Sequence, residues 1–344
     1  MIKLSKPLFI DKLKTKLIYK MPIVEVKNLS KRYEFIKKKP GVINTLKNLF
    51  TREKHYKSAV KKINFSIREG ELVGFLGPNG AGKTTTLKML SGIITPTSGE
   101  AKVLGYVPWK REPEYQKQFA MVMGQKNQLW WDLPPMESFL LNKEIYEVDN
   151  DRFKKSLDML TKILKVKDIL HKQVRQLSLG ERMKCELISS LLHNPRVLFL
   201  DEPTIGMDVV AQKNIRDFLI RYNQEKKTTI ILTSHYMEDI IKLCKRIIII
   251  HHGVIIYDGL VDKLIKKYAP NKVVKVYLDS EVTRDEAEKM GEVFEFEPNT
   301  ITYSVPRKKI RESAAKILSS KLPVRDIDIG EIKVEKIIRN IFKG

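Results

Sequence analysis

The apolar positions of this chain recur with two periods. Ile63-Asn64-Phe65-Ser66-Ile67 changes face at every residue, the pattern of a half-buried strand. Leu72–Leu76 is a short continuous apolar run, as are Val197–Leu200 and Thr229–Leu232. Runs of this length suit parallel strands covered on both sides. A strand is expected over 22–33, interrupted by a turn at Asn28-Leu29-Ser30, with Lys31-Arg32-Tyr33 after it. The polar, basic stretch 34–56, with Pro40-Gly41 in its middle, reads as an inserted surface segment. Residues 84–91 are expected to be helix, stopped by Gly92. Phe153, Leu157, Leu160 and Leu164 recur at spacings of three and four, which predicts a second helix capped by Asn150 or Asp151. Ile247–Ile250 and Val254–Tyr257 flank His251-His252-Gly253 as a hairpin would, so those histidines read as turn residues and not as metal ligands.

Beyond Ala269-Pro270-Asn271 the pattern changes. It predicts strand at 273–278, helix at 284–290, strands at 293–296 and 301–305, helix at 307–319, strand at 324–329 and a last helix from Val334 to Phe342. This β-α-β-β-α-β order points to a small ferredoxin-like domain. With 344 residues, two domains are expected. The division is a basic extension at 1–20, a first domain at 21–262 with a helical subdomain at about 127–190, and an accessory α+β domain at 263–344. No internal repeat is visible.

Charge and cysteine content narrow the classes. The net charge is +23, and residues 1–60 hold 16 Lys+Arg against 4 Asp+Glu. The first twenty residues carry six lysines and one acid, but no continuous apolar stretch or small-residue cleavage site, so a secretory signal is not expected. That segment is either a basic arm touching anionic lipid or an extension upstream of a start at Met21. Met21 directly precedes the strand-like Ile23-Val24-Glu25-Val26, which favours the second. The basic excess itself has two readings, solvated lysine-rich faces or contact with an anionic membrane surface. Nucleic acid is not expected as a partner, because no groove-reading motif accompanies the charge. Cys185 and Cys244 are too few for a disulfide framework or a cysteine zinc site, which leaves a reducing compartment as the expectation. No apolar run reaches the roughly 18–20 residues of a membrane-spanning helix.

One motif carries chemistry by itself. Gly77-Pro78-Asn79-Gly80-Ala81-Gly82-Lys83-Thr84 fits G-x-x-x-x-G-K-[ST], between a buried-strand run and a helix. Its glycines let successive N–H groups face a β-phosphate, and the helix start adds a favourable dipole. Lys83 would touch the β- and γ-phosphates, Thr84 would place its hydroxyl on Mg²⁺, and Thr85 can reach the α-phosphate. Asp201 and Glu202 end the Val197–Leu200 run. Strand alternation would give them separate tasks, Asp201 holding Mg²⁺ through water and Glu202 acting as general base on water. Leu177-Ser178-Leu179-Gly180-Glu181 precedes a helix and would form a second anion site.

Together these residues resemble the ATP-binding subunit of ABC transporters, over roughly residues 22–260. Gly77–Thr84 is similar to the Walker A loop, Val197–Glu202 to Walker B, and Leu177–Glu181 to the signature Leu-Ser-Gly-Gly-Gln. Leu179 stands for its first glycine and Glu181 for its glutamine, while Ser178 and Gly180 are kept. Gly206-Met207-Asp208 resembles the D-loop. The resemblance further implies that His235 contacts the γ-phosphate, that Gln125 senses Mg²⁺ and the attacking water, and that Tyr33 stacks on adenine. Met123–Pro134, with the basic insertion and the C-terminal domain, looks like the Nat-type (sodium/drug exporter-like) branch.

The implied fold is α/β, an ABC-type P-loop NTPase domain with a helical subdomain, plus the small C-terminal α+β domain. The implied activity is ATP hydrolysis to ADP and phosphate with Mg²⁺, powering separate transmembrane permease subunits from the cytoplasmic face of the membrane. Each ATP would be sandwiched between Walker A of one chain and the signature of another, in a homodimer or heterodimer. Trp130 and Trp131 are adjacent, so they cannot share one helix stripe, and at least one is a candidate permease contact. The alternatives are a soluble ABC-type ATPase acting on nucleic acid or ribosomes, and a P-loop kinase, which leaves Leu177–Glu181 and His235 unexplained.

Overall fold

The computed structural model describes residues 22–36, 54–124, 126–234, 237–268 and 270–332, together with 338 and 342. The basic extension at 1–20, Gln125, His235 and most of the expected 334–342 helix lie outside the described residues. Two compact units divide between Asp258 and Gly259.

In the first unit, β3 (Leu72–Leu76), β5 (Phe119–Met123), β6 (Val197–Asp201), β7 (Thr229–Ser234), β8 (Arg246–His251) and β9 (Val254–Leu260) form one sheet in the order β5-β6-β7-β3-β8-β9. The pairs from β5 through β8 are parallel. All carboxyl ends of these strands therefore reach the same edge, where ligands of open α/β sheets bind. Burial follows the predicted runs: every residue of β7 and all of β6 but Asp201 are buried.

A second, antiparallel sheet runs β2-β1-β4, with β1 (Val24–Ile36), β2 (Lys54–Ile67) and β4 (Ser98–Val103). Here the sequence expectation needs correction. Asn28-Leu29-Ser30 is no turn. The strand runs on through shifts of register, with Asn28 at φ 48°, because Lys27 and Ser30 still pair with β4. The expected surface insertion at 34–56 also begins and ends as strand, since Glu34 faces Tyr56 and Phe35 faces His55. One core fills the space between the sheets, including Val24, Ile67, Phe75, Leu87, Phe199 and Ile248.

The helices place the functional loops. Lys83–Leu90 is α1 and follows β3 directly. The short α2 (Pro113–Gln116) leads into β5. The helical subdomain holds α3 (Pro135–Ile145), α4 (Asn150–Leu164) and α5 (Leu179–Leu191). The cap of α4 is Asp149, whose carboxylate accepts from Arg152 N, and not Asn150 or Asp151. Then come α6 (Val209–Lys226) and α7 (Met237–Leu243). Among the described residues no helix is long and apolar enough to cross a membrane.

The second unit opens with α8 (Val261–Tyr268). It continues as β10 (Asn271–Leu278), α9 (Arg284–Glu288), β11 (Val293–Glu297), β12 (Thr300–Pro306), α10 (Ile310–Leu318) and β13 (Val324–Glu331). Its sheet order, β11-β12-β10-β13, is antiparallel throughout. In the unit's own strands this is 2-3-1-4, the split β-α-β-β-α-β arrangement the pattern predicted. Val274, Val276, Ile301, Tyr303 and Ile317 form its core.

Candidate functional site

The loop between β3 and α1 wraps because of its glycines. Gly82 caps α1 at φ 112°, where an added Cβ would lie 2.5 Å from the Ala59 carbonyl. Only glycine fits both the left-handed backbone and that approach. Lys83, next in the chain, is buried, and its ammonium donates to the carbonyls of Gly77 at 2.6 Å and Pro78 at 3.1 Å. Burial lowers its pKa, while the Glu202 and Asp201 carboxylates oppose that shift.

Asp201 ends β6 and gathers three neighbours. Its Oδ1 accepts from Thr84 Oγ1 at 2.9 Å and from Thr233 Oγ1 at 2.6 Å. Its carbonyl accepts from Gly124 N at 2.8 Å. Glu202 does not continue the strand. It takes φ 54°, and its N–H donates to the carbonyl and hydroxyl of Thr233, each at 3.1 Å. The chain thus turns between Asp201 and Glu202 through a left-handed residue held by β7, and the expected strand alternation does not extend to Glu202. Such a conformation costs on the order of 1 kcal/mol or more for a non-glycine residue and persists where surroundings impose it.

A cleft of about 630 Å³ collects most of the expected residues: Tyr33, Asn79–Thr85, Asp201 and Glu202. Met123 and Lys126 line it on both sides of Gln125. Tyr33 is 39% exposed, and Lys31 stands 5.3 Å from its ring centroid. Lys57, Lys88 and Lys126 also line the cleft, and sequence reasoning missed all three, because single lysines in a lysine-rich chain carry no signal. Thr233 was missed too, although it sits two residues before His235 at the end of a buried run. The oxygens of Thr84 and Asp201 meet at hydrogen-bond distance, a hard donor pair that fits Mg²⁺ completed by phosphate and water. Among the described residues no group of three or more His, Cys, Asp or Glu forms a dedicated metal cage.

The signature residues stand apart from this cleft and are absent from its lining. Ser178 is the N-cap of α5 in a reciprocal capping box: Glu181 N donates to Ser178 Oγ, and Ser178 N donates to the Glu181 carboxylate at 2.9 Å. The Ser178 hydroxyl also donates to that carboxylate at 2.8 Å. These bonds hold the Glu181 pKa below its ordinary value. Glu at this position therefore does local structural work that glutamine also could. Leu179 packs on Gly206, where φ is 72° and an added Cβ would come within 2.9 Å of the leucine methyl. Asp208 caps α6, accepting from Val210 N and Ala211 N, and Val209 and Val210 next to it are exposed. Trp130 and Trp131 are both largely exposed, at 58% and 47%.

Comparison with known proteins agrees with this geometry. A family described as "ABC transporter" matches residues 60–205, and one described as "EvrA-like ABC transporter, C-terminal domain" matches 270–330. The ABC transporter ATP-binding protein NatA of Bacillus subtilis is 32% identical over 215 residues, 62% of this chain and 87% of that protein. The cholesterol transporter ABCA5 of Rattus norvegicus is 30% identical over 306 residues, 89% of this chain but only 18% of that much longer protein. A solved ATP-binding subunit of an ABC transporter superposes with a TM-score of 0.58 at 24% identity, covering 71% of this chain and 92% of that one. With a phosphate loop, a strand-end carboxylate pair and a capped signature helix in one fold, and a relative matched over most of its length, this chain belongs to the ABC transporter ATP-binding proteins and is an ATPase of that family.

Proposed function

We propose that this chain is the ATP-hydrolysing subunit of an ABC exporter whose membrane-spanning permease is a separate polypeptide. The observation that carries the reading is the single cleft lined by Lys83, Thr84, Asp201, Glu202 and Tyr33. Lys83 and the loop N–H groups hold the β- and γ-phosphates. Tyr33 stacks on the adenine. Thr84 and Asp201, with Gln125, hold Mg²⁺, which when bound offsets the charge of the transferring phosphoryl group. Glu202 accepts the proton of the attacking water, and His235 contacts the γ-phosphate. Burial of Lys83 strengthens its hold on phosphate, since each charge interaction grows as water is excluded.

Lys83 and Ser178 do not line one cleft within a chain, so a complete site needs the signature of a second copy or of a close relative. ATP then acts as adhesive as well as substrate, and hydrolysis reopens the seam. Exposed Val209 and Val210 beside Asp208 supply apolar surface for that seam. The permease would dock at Trp130 and Trp131, which are exposed. The complex would sit on the cytoplasmic face of the membrane.

Phosphate release by purified protein tests the enzymatic part: hydrolysis dependent on Mg²⁺ and abolished in Lys83→Ala is expected, and hydrolysis untouched by that change would refute it. For docking, Trp130→Ala/Trp131→Ala should abolish association with a co-expressed partner permease while leaving ATP hydrolysis by the isolated chain near normal. Equal loss of both would assign the tryptophans to packing.

A further inference from the structure

The turn between β8 and β9 does more than reverse the chain. His252 and Gly253 lie at φ 48° and φ 81°, the two left-handed residues that a type I′ hairpin turn requires. Glycine takes the second position at no steric cost, and histidine is among the side chains found more often than most in the first. Both backbone groups of Gly253 bond outside the hairpin. Its N–H donates to the Ala81 carbonyl at 3.0 Å, and its carbonyl accepts from Lys61 N at 2.7 Å.

Those two bonds join parts of the cleft that serve different ends of a nucleotide. Ala81 belongs to the phosphate loop. Lys61 belongs to β2, where Lys57 and Ala59 line the cleft and Lys57 pairs with Tyr33 of β1. The junction is close-packed. A Cβ added to Gly253 would lie 2.9 Å from the Ala59 carbonyl oxygen, the same atom that a Cβ on Gly82 would approach to 2.5 Å. The Ala59 carbonyl thus sits between the turn and the phosphate loop. On the β8 side, a Cβ on Gly77 would come within 2.3 Å of the Ile250 carbonyl oxygen. With the loop wedged between β2 and β8, a shift of the turn moves the base side of the cleft relative to the phosphate side.

We propose that Gly253 is a positioning residue for ATP hydrolysis, fixing the strands that carry Tyr33 and Lys57 against the phosphate loop so that base and triphosphate are bound at one set separation. The inference rests on the function proposed above and adds how the two ends of the cleft are held in register. Gly253 is itself absent from the cleft's lining. A ribose of fixed length joins base to phosphates, so a nucleotide gains fully from both ends only where they are already spaced to match. A methyl group at Gly253 would strain the left-handed backbone and push Ala59, and β2 with it, away from the loop.

The test compares ATP with inorganic triphosphate, which offers the phosphates without a base, on the full chain. In Gly253→Ala the KM for ATP should rise about tenfold, while the inhibition constant of inorganic triphosphate against ATP hydrolysis stays within about twofold of wild type. Equal weakening of both ligands would mean that the glycine serves only the phosphate loop or the fold, and would overturn the proposal. Tyr33→Ala should make the Gly253 change silent, so that the double variant has a KM for ATP within about twofold of Tyr33→Ala alone; losses that multiply would contradict the link. Should Gly253→Ala fail to fold, hydrogen exchange in the wild-type chain decides. Inorganic triphosphate should slow exchange of the Lys61 amide about fivefold, although Lys61 lies outside the phosphate loop, and unchanged exchange there would overturn the proposal. A wild-type chain that hydrolyses no ATP would refute the underlying function. Normal wild-type hydrolysis, with ATP and inorganic triphosphate equally affected in the variant, refutes the positioning role alone.

Discussion

Lys83 is where folding and chemistry conflict most directly. Burial disfavours its charge, and the carboxylates of Glu202 and Asp201 offset only part of that. Replacing it with alanine removes a buried ammonium while taking away the cation aimed at the phosphates. We expect Lys83→Ala to lower kcat/KM for ATP by about a hundredfold or more with no loss of thermal stability, measured by phosphate release and calorimetry. Glu186, buried on α5 with Arg182 Nε 3.6 Å from its carboxylate, shows the opposite sign of burial. Its pKa is pushed up to about 7, first by burial, with the Arg182 guanidinium pulling the other way. The folded chain then holds this proton more tightly than the unfolded chain does, so stability falls as pH rises from the ordinary carboxylate value to about 7. Glu186→Gln should therefore melt higher than wild type near pH 8, by an amount on the order of 3 kcal/mol at most, and the gap should close near pH 4.5. A lower melting point for the variant at pH 8 would mean that the Arg182 ion pair stabilises the fold.

At the scale of elements, the termini of helices and strands decide where side chains arrive. Asp149, not its neighbours, caps α4. Asp149→Ala should cost about 1 kcal/mol in urea unfolding, whereas Asn150→Ala should cost much less; the reverse ranking would contradict the cap assignment. Strand cores were legible in the sequence because β3, β6 and β7 are continuous apolar runs covered on both faces. The phosphate loop was legible because Gly82 and Lys83 are fixed by spacing alone. The Asn28–Ser30 bulge was not, since polar residues look alike in a turn and in a strand whose pairing slips. The cap was ambiguous because three polar residues, Asp149 to Asp151, can each serve. The role of Thr233 and the left-handed turn at Glu202 depend on β7 lying beside β6, a long-range neighbourhood that local pattern does not encode. For the same reason Leu179 read only as a departure from the signature, whereas in the fold its methyl lies against Gly206.

Over the whole molecule, the composite-site reading ties activity to encounter between chains. ATP hydrolysis per chain should then rise with protein concentration until dimers saturate, and a rate strictly proportional to chain concentration from high dilution upward would show that each chain works alone. The +23 charge opposes that encounter, and ATP, drawn to Lys57, Lys83, Lys88 and Lys126, offsets part of the repulsion. Moderate salt should therefore weaken ATP binding yet ease association in its absence. The most direct test is the molar mass of Glu202→Gln by light scattering at saturating ATP and Mg²⁺. The account predicts a species of twice the chain mass that returns to one chain when ATP is removed; a single-chain mass at saturating ATP would contradict it.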